Sequence, residues 1–458
     1  MYDEFGLEVA PGRMREVVKA LRPVLLDAWH LPNFSEVLGT DVLGLRTELG
    51  VTSEQIRGIP GVITAEGTAD HIFYSGLPEM GEATAPGIGS MTDDDIYLIR
   101  RPLTSRASIH PGVPPGVPTL FAPEVSEGDF HQAGAMDRIL DLIGAKRAWR
   151  HNRGESSIIA VLDSGVDGAR IGADQLAGTW VGSPGLDPLV DDTGHGTMVA
   201  LIAASRGEVN GFDGVAPDAD LYVLKPDTDE RGVMSTISIM RGMDHLMGVA
   251  KDHNRSVIMN NSWGLWGCKS LLLPCRIIIT RVMVRMDVAG VCCPSTVWAL
   301  GNNHLLGCGS EVDGWCMNSG PASFSVGAVS LGLQLQPYSS VGGQCYPLSP
   351  MVCCPTGGIL PWGKGFKDFG PYGGGTSSCA PQVSGAVAIL AAANPGITNS
   401  EMRAAMRQSA LQLGPDTMFN PGFGSGLLQV DKAIEAAPFA KTHVTFTYEE
   451  EFLRRFRY

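Results

Sequence analysis

The chain has 458 residues, 44% apolar and only 18% charged, which is enough apolar material for one large domain with extensions or for roughly two or three smaller ones. Its formal net charge of −14 argues against a general affinity for nucleic acid or anionic lipid. The longest apolar runs, such as SGAVAILAAA, are too short to span a membrane, and the start of the chain lacks a basic segment leading into an uninterrupted apolar one. The expected location is therefore cytoplasmic, with secretion left open.

In chain order, PGRMREVVKALRPVLLDAWH (11–30) reads as an amphipathic helix and SEQIRGI (53–59) as a second, shorter one. GVITAEG, HIFYSG and DIYLIR read as short strands, so residues 1–120 form a small α+β unit ending in a linker. The proline density of IHPGVPPGVPTLFAP (109–123) suits that semi-rigid connector.

Beyond it the pattern changes. AMDRILDLIGAKRAWR (135–150) is helical, and SSIIAVLD (156–163) is an apolar strand of the kind buried on both faces. GTMVALIAASR is a helix and ADLYVLKP a strand. SVIMNNSW, STVWALGN and ASFSVGAVS are further strands, each ending in small or polar residues. Helices follow after Ser377 and over TNSEMRAAMRQSA, the latter capped by Thr398 or Asn399. Strands alternating with helices imply an α/β domain with a mostly parallel central sheet flanked by helices, over 125–438. Sites in such sheets form beyond the strand C-terminal ends. A tail, 439–458, completes the chain.

All ten cysteines lie between Cys268 and Cys379. Buried free thiols are the plainest reading; local disulfides or a structural metal remain alternatives.

Four polar residues follow these strands or open these helices. Asp163 follows the apolar run of IIAVLDSGVDG, His195 sits between glycines in DDTGHGTMVA, Asn302 lies in WALGNN, and Ser377 lies in GGGTSSCAP at a helix start. Taken singly, each is a capping, packing or turn residue. Together they match one chemistry. A serine hydroxyl needs a base, a histidine supplies one near neutral pH, and an aspartate fixes the histidine tautomer and stabilises the imidazolium. A helix start beside the serine, and an asparagine amide, could both meet a developing oxyanion.

On these segments the chain resembles the subtilisin-like serine peptidases, the subtilase family. IIAVLDSGVD is similar to the family's aspartate segment, DDTGHGTMVA to its histidine segment and GTSSCAPQVSG to its serine segment, and ALGN corresponds to the oxyanion-asparagine segment. The resemblance covers residues 125–436, with GVAPDADLYVLK, NNSWG and GFGSGLLQVDKAI in support. Ser378 and Cys379 stand where the family commonly has methionine and alanine. The resemblance implies a serine endopeptidase with Asp163, His195 and Ser377 as the triad and Asn302 in the oxyanion hole. Polypeptide substrates would lie extended along Ser262, Trp263 and Gly264, with Trp263 either shaping an apolar or aromatic subsite or packing in the core. No cofactor is implied for the chemistry. Structural calcium is possible, Asp191, Asp192 and Asp213 being available carboxylates. Residues 1–120 are expected to act as an intramolecular propeptide or to persist as an accessory domain. Glu311 and Asp313 could favour basic side chains, or could be an ordinary acidic loop. Other readings are a peptide-binding relative without activity, a cysteine-rich module, and a nucleophile at Cys379.

Overall fold

The structure, a computed structural model, describes residues 3–67, 73–75, 132–228, 233–253, 255–265, 278–288, 294–302, 304, 318, 320, 322–342, 349–356, 375–413 and 420–440. The expected strand in DIYLIR, the proline-rich stretch, Glu311, Asp313 and the segment 441–458 lie outside them.

The N-terminal unit runs β1 (Asp3–Val9), α1 (Met14–Leu21), β2 (Leu25–His30), α2 (Pro32–Leu38), β3 (Asp41–Thr47), α3 (Ser53–Arg57) and β4 (Val62–Gly67). Its four strands pair antiparallel in the order β2-β3-β1-β4. The single helix expected over 11–30 is therefore wrong in its second half. Pro23 has no N–H to continue α1, so the chain turns and Leu25–His30 pairs with β3 instead. Strands β1 and β3 alternate: Phe5, Leu7, Val9, Leu43 and Leu45 pack with Val17, Leu21 and Ile56 in a core of the unit's own.

The larger region begins with α4 (Gln132–Leu142) and α5 (Ala145–Ala148), followed by β6 (Ser157–Leu162), β7 (Leu176–Val181), α6 (His195–Ala204) and β8 (Asp220–Lys225). After the short β9 (Val233–Met234) come α7 (Thr236–Asp252), β10 (Ser256–Asn261), β11 (Trp263–Leu265) and α8 (Ile278–Val288). The remaining elements are β12 (Ser295–Ala299), β13 (Phe324–Val329), β14 (Val352–Pro355), α9 (Ala380–Ala393), α10 (Asn399–Ser409) and α11 (Val430–Ala436). Seven strands form a parallel sheet in the order β14-β13-β12-β10-β6-β8-β7.

Both faces of this sheet are covered, and the alternation of side chains assigns them. From β6, Ile159 and Val161 enter a core with residues of α4, α6, α9, α10 and α11, whereas Ile158, Ala160 and Leu162 enter a second core with α7 and α8. Each buried isoleucine, leucine or valine contributes about 1.5–3 kcal/mol, so the paired layers hold the strand ends rigidly. Thr398 caps α10 through a reciprocal capping box with Glu401.

The N-terminal unit shares the second core: Leu31, Phe34, Leu38 and Val42 pack there beside Met240, Met247 and Ile279. The outer face of β1 and β3 rests on α7 and α8 and, apart from Val42, is polar or small. Glu4 accepts from Arg46 Nε and Ser235 Oγ, Glu8 pairs with Arg281, and Glu66 accepts from the Ile278 N–H at the start of α8. Gly44 admits Ile237, whose Cγ2 would sit 2.8 Å from a Cβ there. A third, antiparallel sheet joins the two regions. In it β5 (Phe73–Ser75) lies between β11 and β9.

Candidate active site

Strand β6 carries Asp163 to the C-terminal edge of the sheet, where its backbone N–H bonds the Leu224 carbonyl of β8. Its carboxylate Oδ1 accepts from the Ser164 N–H at 2.7 Å and meets His195 Nδ1 at 2.8 Å. Both side chains are almost fully buried.

His195 opens α6, and Asp191 prepares its place. The Asp191 carboxylate accepts from the N–H groups of Gly194 and Thr197 and from the Ser164 and Thr197 hydroxyls, tying the histidine loop to the residue after Asp163. Gly196 is obligatory in this arrangement, because a Cβ would lie 2.1 Å from the Gly165 carbonyl oxygen. Burial disfavours the imidazolium, but the charge and hydrogen bond of Asp163 and the charge of Asp191 outweigh it and hold the His195 pKa above its ordinary value. His195 Nε2 and Asp163 Oδ2 have no hydrogen-bond partner among the described residues.

Ser377 sits in a 3-10 turn, Thr376–Ser378, that leads into α9 and packs against α6. Its hydroxyl does not bond His195. It donates to the Ser262 carbonyl at 2.8 Å. Asn302 lies beside the same turn, its Oδ1 accepting from the Thr376 N–H at 2.9 Å and the Thr376 hydroxyl at 3.0 Å. That use of the oxygen leaves the Nδ2 end as the donor available to a bound carbonyl. Gly375, at φ +59°, lets the turn approach this amide, since a Cβ would stand 2.9 Å from Asn302 Nδ2. The fold thus gathers Asp163, His195, Ser377 and Asn302 from four separate segments, and the Asp163–His195 bond is already made.

The model of the subtilase family (Peptidase S8) matches residues 154–426, more than half of the chain. The chain belongs to the subtilase family. It is 29% identical to subtilisin NAT of Bacillus subtilis subsp. natto over 282 residues, covering 62% of this chain and 66% of that protein. It is 28% identical to a subtilisin of Bacillus pumilus, of which the match covers 92%, and 34% identical over 127 residues to mycosin-3 of Mycobacterium tuberculosis, covering 28% of this chain and 23% of that protein.

Other candidate residues of this subtilase fall less uniformly. Trp263 is 2% exposed, belongs to the second core and meets Trp298 edge-on, with ring centroids 4.9 Å apart. Its backbone, with that of Gly264, pairs with β5: Trp263 is opposite Ser75 and Gly264 opposite Tyr74. Ser262 stands just before this strand and touches Ser377 directly.

The carboxylates considered for calcium are committed elsewhere. Asp191 caps α6, Asp192 pairs with Lys225, and Asp213 accepts from the Gly207 N–H and pairs with Arg153. Among the described residues no cluster of three or more His, Cys, Asp or Glu side chains is placed to hold a metal. No described helix is long and apolar enough to cross a membrane. Cys353, Cys354 and Cys379 are buried free thiols whose pKa values burial drives upward. A thiol of that kind is a poor nucleophile, which removes Cys379 as a candidate. The other seven cysteines lie outside the described residues.

Residues missed in the sequence include Asp191 in its capping role, Thr376, and the buried pair Asn260 and Ser384. All four stand in matched segments, Asp191 in DDTGHGTMVA, Thr376 and Ser384 in GTSSCAPQVSG and Asn260 in NNSWG, but nothing in a segment says which groups meet.

Proposed function

We propose that this subtilase is a serine endopeptidase acting through Asp163, His195 and Ser377. The observation that carries the reading is the buried 2.8 Å bond between His195 Nδ1 and Asp163 Oδ1, with Nε2 left without a partner beside the Ser377 turn. Asp163 fixes the tautomer, so Nε2 is the basic nitrogen. The Ser377 hydroxyl turns from the Ser262 carbonyl to Nε2, gives up its proton there and attacks a peptide carbonyl. Asn302 Nδ2 and the Ser377 N–H hold the tetrahedral oxygen. His195 then protonates the leaving amine, and water repeats the sequence on the acyl-enzyme. Nucleophile, base and oxyanion donors all come from the chain, so the chemistry needs no cofactor. Because the His195 pKa is raised, the imidazole stays protonated to a higher pH than usual, and activity falls off on the acid side from a correspondingly higher pH.

The substrates in this reading are extended polypeptide segments that add a strand to β11. The N-terminal unit is read as an intramolecular propeptide, on the support of β5, which already lies between β11 and β9. Since β5 runs antiparallel to β11, its C-terminal end is the one nearer Ser262. That favours cutting just after the FYSG segment, near the bond between positions 76 and 77, over cutting in the proline-rich stretch. Replacing Ser377 by alanine is expected to abolish peptide cleavage and fluorophosphonate labelling, and undiminished cleavage would sink the assignment. N-terminal sequencing of wild-type protein after incubation tests the position of the cut.

A further inference from the structure

Behind the nucleophile lies a chain of hydrogen bonds that the triad does not use. The Ser384 hydroxyl on α9 is 2.9 Å from Asn260 Oδ1, and the Ala380 carbonyl is a longer alternative acceptor at 3.1 Å. Asn260 Nδ2 donates to Ser262 Oγ at 2.8 Å, and Ser262 Oγ donates to the Ser377 carbonyl at 2.9 Å. Asn260, Ser262 and Ser384 have no exposed surface at all.

The direction of this chain follows from counting hydrogens. Each hydroxyl carries one. Ser262 Oγ receives the Asn260 N–H, so its own hydrogen goes to the Ser377 carbonyl. Turning the Asn260 amide over would make Ser262 donate to Asn260 and would remove this donor from the Ser377 carbonyl, a buried acceptor that is costly to leave unmatched. Ser377 returns the contact, since its hydroxyl donates to the Ser262 carbonyl. The same two residues are therefore joined twice, once through the backbone of the nucleophile and once through its side chain.

We propose that Asn260, oriented by Ser384, is a positioning residue for Ser377 that acts through the Ser262 hydroxyl. Fixing the carbonyl of Ser377 fixes the peptide group that follows it, and with it the point from which Oγ swings between the Ser262 carbonyl and His195. Displacing a reacting atom by about 1 Å can cost on the order of 100-fold in rate. The contribution falls on the chemical step, because neither Asn260 nor Ser384 faces the strand-pairing edge of β11. The proposal rests on the reading of Ser377 as nucleophile.

The test measures kcat and KM on a peptide substrate per active site, with sites counted by fluorophosphonate titration so that misfolded molecules drop out. Asn260→Ala is expected to lower kcat by about 10- to 100-fold with KM within about twofold of wild type, and Ser384→Ala to lower kcat by about three- to tenfold. The double variant should be no slower than Asn260→Ala, since both act on one chain. Asn260→Asp keeps the shape but, when ionised, can only accept. It reverses the chain and should be most impaired where the carboxylate is charged, recovering relative to wild type as the pH falls and its protonated form again donates to Ser262. A structural role alone would not produce that pH dependence. Wild-type kcat in Asn260→Ala, or in Ser384→Ala should the former not fold, overturns the proposal while a titratable wild type leaves the peptidase reading intact. A wild type with no titratable site overturns both.

Discussion

The two main sheets of this subtilase obey the same alternation of side chains but use it differently. In the seven-stranded sheet both faces are apolar, so β6 is a continuous run, SIIAVL, split between two cores. In the four-stranded sheet one face is apolar and the other carries Glu4, Gly6, Glu8, Gly44 and Arg46 beside a single valine, Val42, on β1 and β3. That second face is largely polar, yet Glu4 is 5% and Glu8 2% exposed. Alternation therefore identifies a strand and its inner face. It does not say whether the polar face meets water or another part of the chain. The central sheet is held by hydrophobic burial, which is largely indifferent to pH, whereas the N-terminal unit combines a modest shared core with buried charges that must stay paired.

The contrast can be broken most sharply at the central sheet. Asp163→Asn should reduce kcat by about 10⁴-fold through the wrong histidine tautomer, while hydrogen exchange of the β1 and β3 amides stays at the level of the Ser377→Ala chain. Loosening of the N-terminal unit in that variant would mean that the two regions are coupled through the triad. A smaller effect is expected on the other side. Glu4→Ala in the Ser377→Ala background removes the bonds to Arg46 and Ser235, leaves Arg46 its pair with Asp227, and should weaken docking by about 2 kcal/mol, read as faster exchange confined to the four-stranded sheet. Unchanged exchange would show that the bond from Ser235 to Glu4 does not hold the unit.

Glu66 sharpens the comparison through pH. Burial pushes its docked pKa up to about 8 from an ordinary 4.5, against the opposing pull of the Ile278 N–H and Arg281. The docked form thus takes up a proton. Its contribution is complete below about 4.5 and is lost as the pH rises through about 8, so docking should weaken on the alkaline side. Glu66→Gln should remove that dependence, and an identical pH profile in wild type and variant would rule it out. The smallest effect is predicted for Thr398→Ala, which removes the cap of α10 and should cost about 1 kcal/mol in thermal unfolding without altering exchange in β1 or β3.

How much was legible follows the same division. The parallel strands β6, β8, β10, β12 and β13 and the helices α6, α9 and α10 could be read from apolar runs and caps, as could the four candidate residues near their ends. The helix expected over 11–30 failed at Pro23, where pairing with β3 prevailed over helical periodicity. Helices α7 and α8 escaped notice because they present apolar side chains both to the sheet and to the N-terminal unit, which blurs a one-sided stripe. For Trp263 the sequence left subsite and core packing both open, because position along the chain cannot tell a side chain facing Trp298 from one facing the cleft.

By itself the sequence determined the α/β class and the order of the segments and made Asp163, His195, Asn302 and Ser377 the candidates, because each depends on local pattern, residue chemistry and the resemblance of short segments. Only the tertiary structure decided that Asp191 caps the histidine helix, that Ser377 leans on Ser262, that Asn260 and Ser384 stand behind it, and that β5 occupies the edge of β11. Those facts depend on which groups meet across distant segments. A buried polar atom finds its partner by three-dimensional proximity, and spacing along the chain carries no record of that.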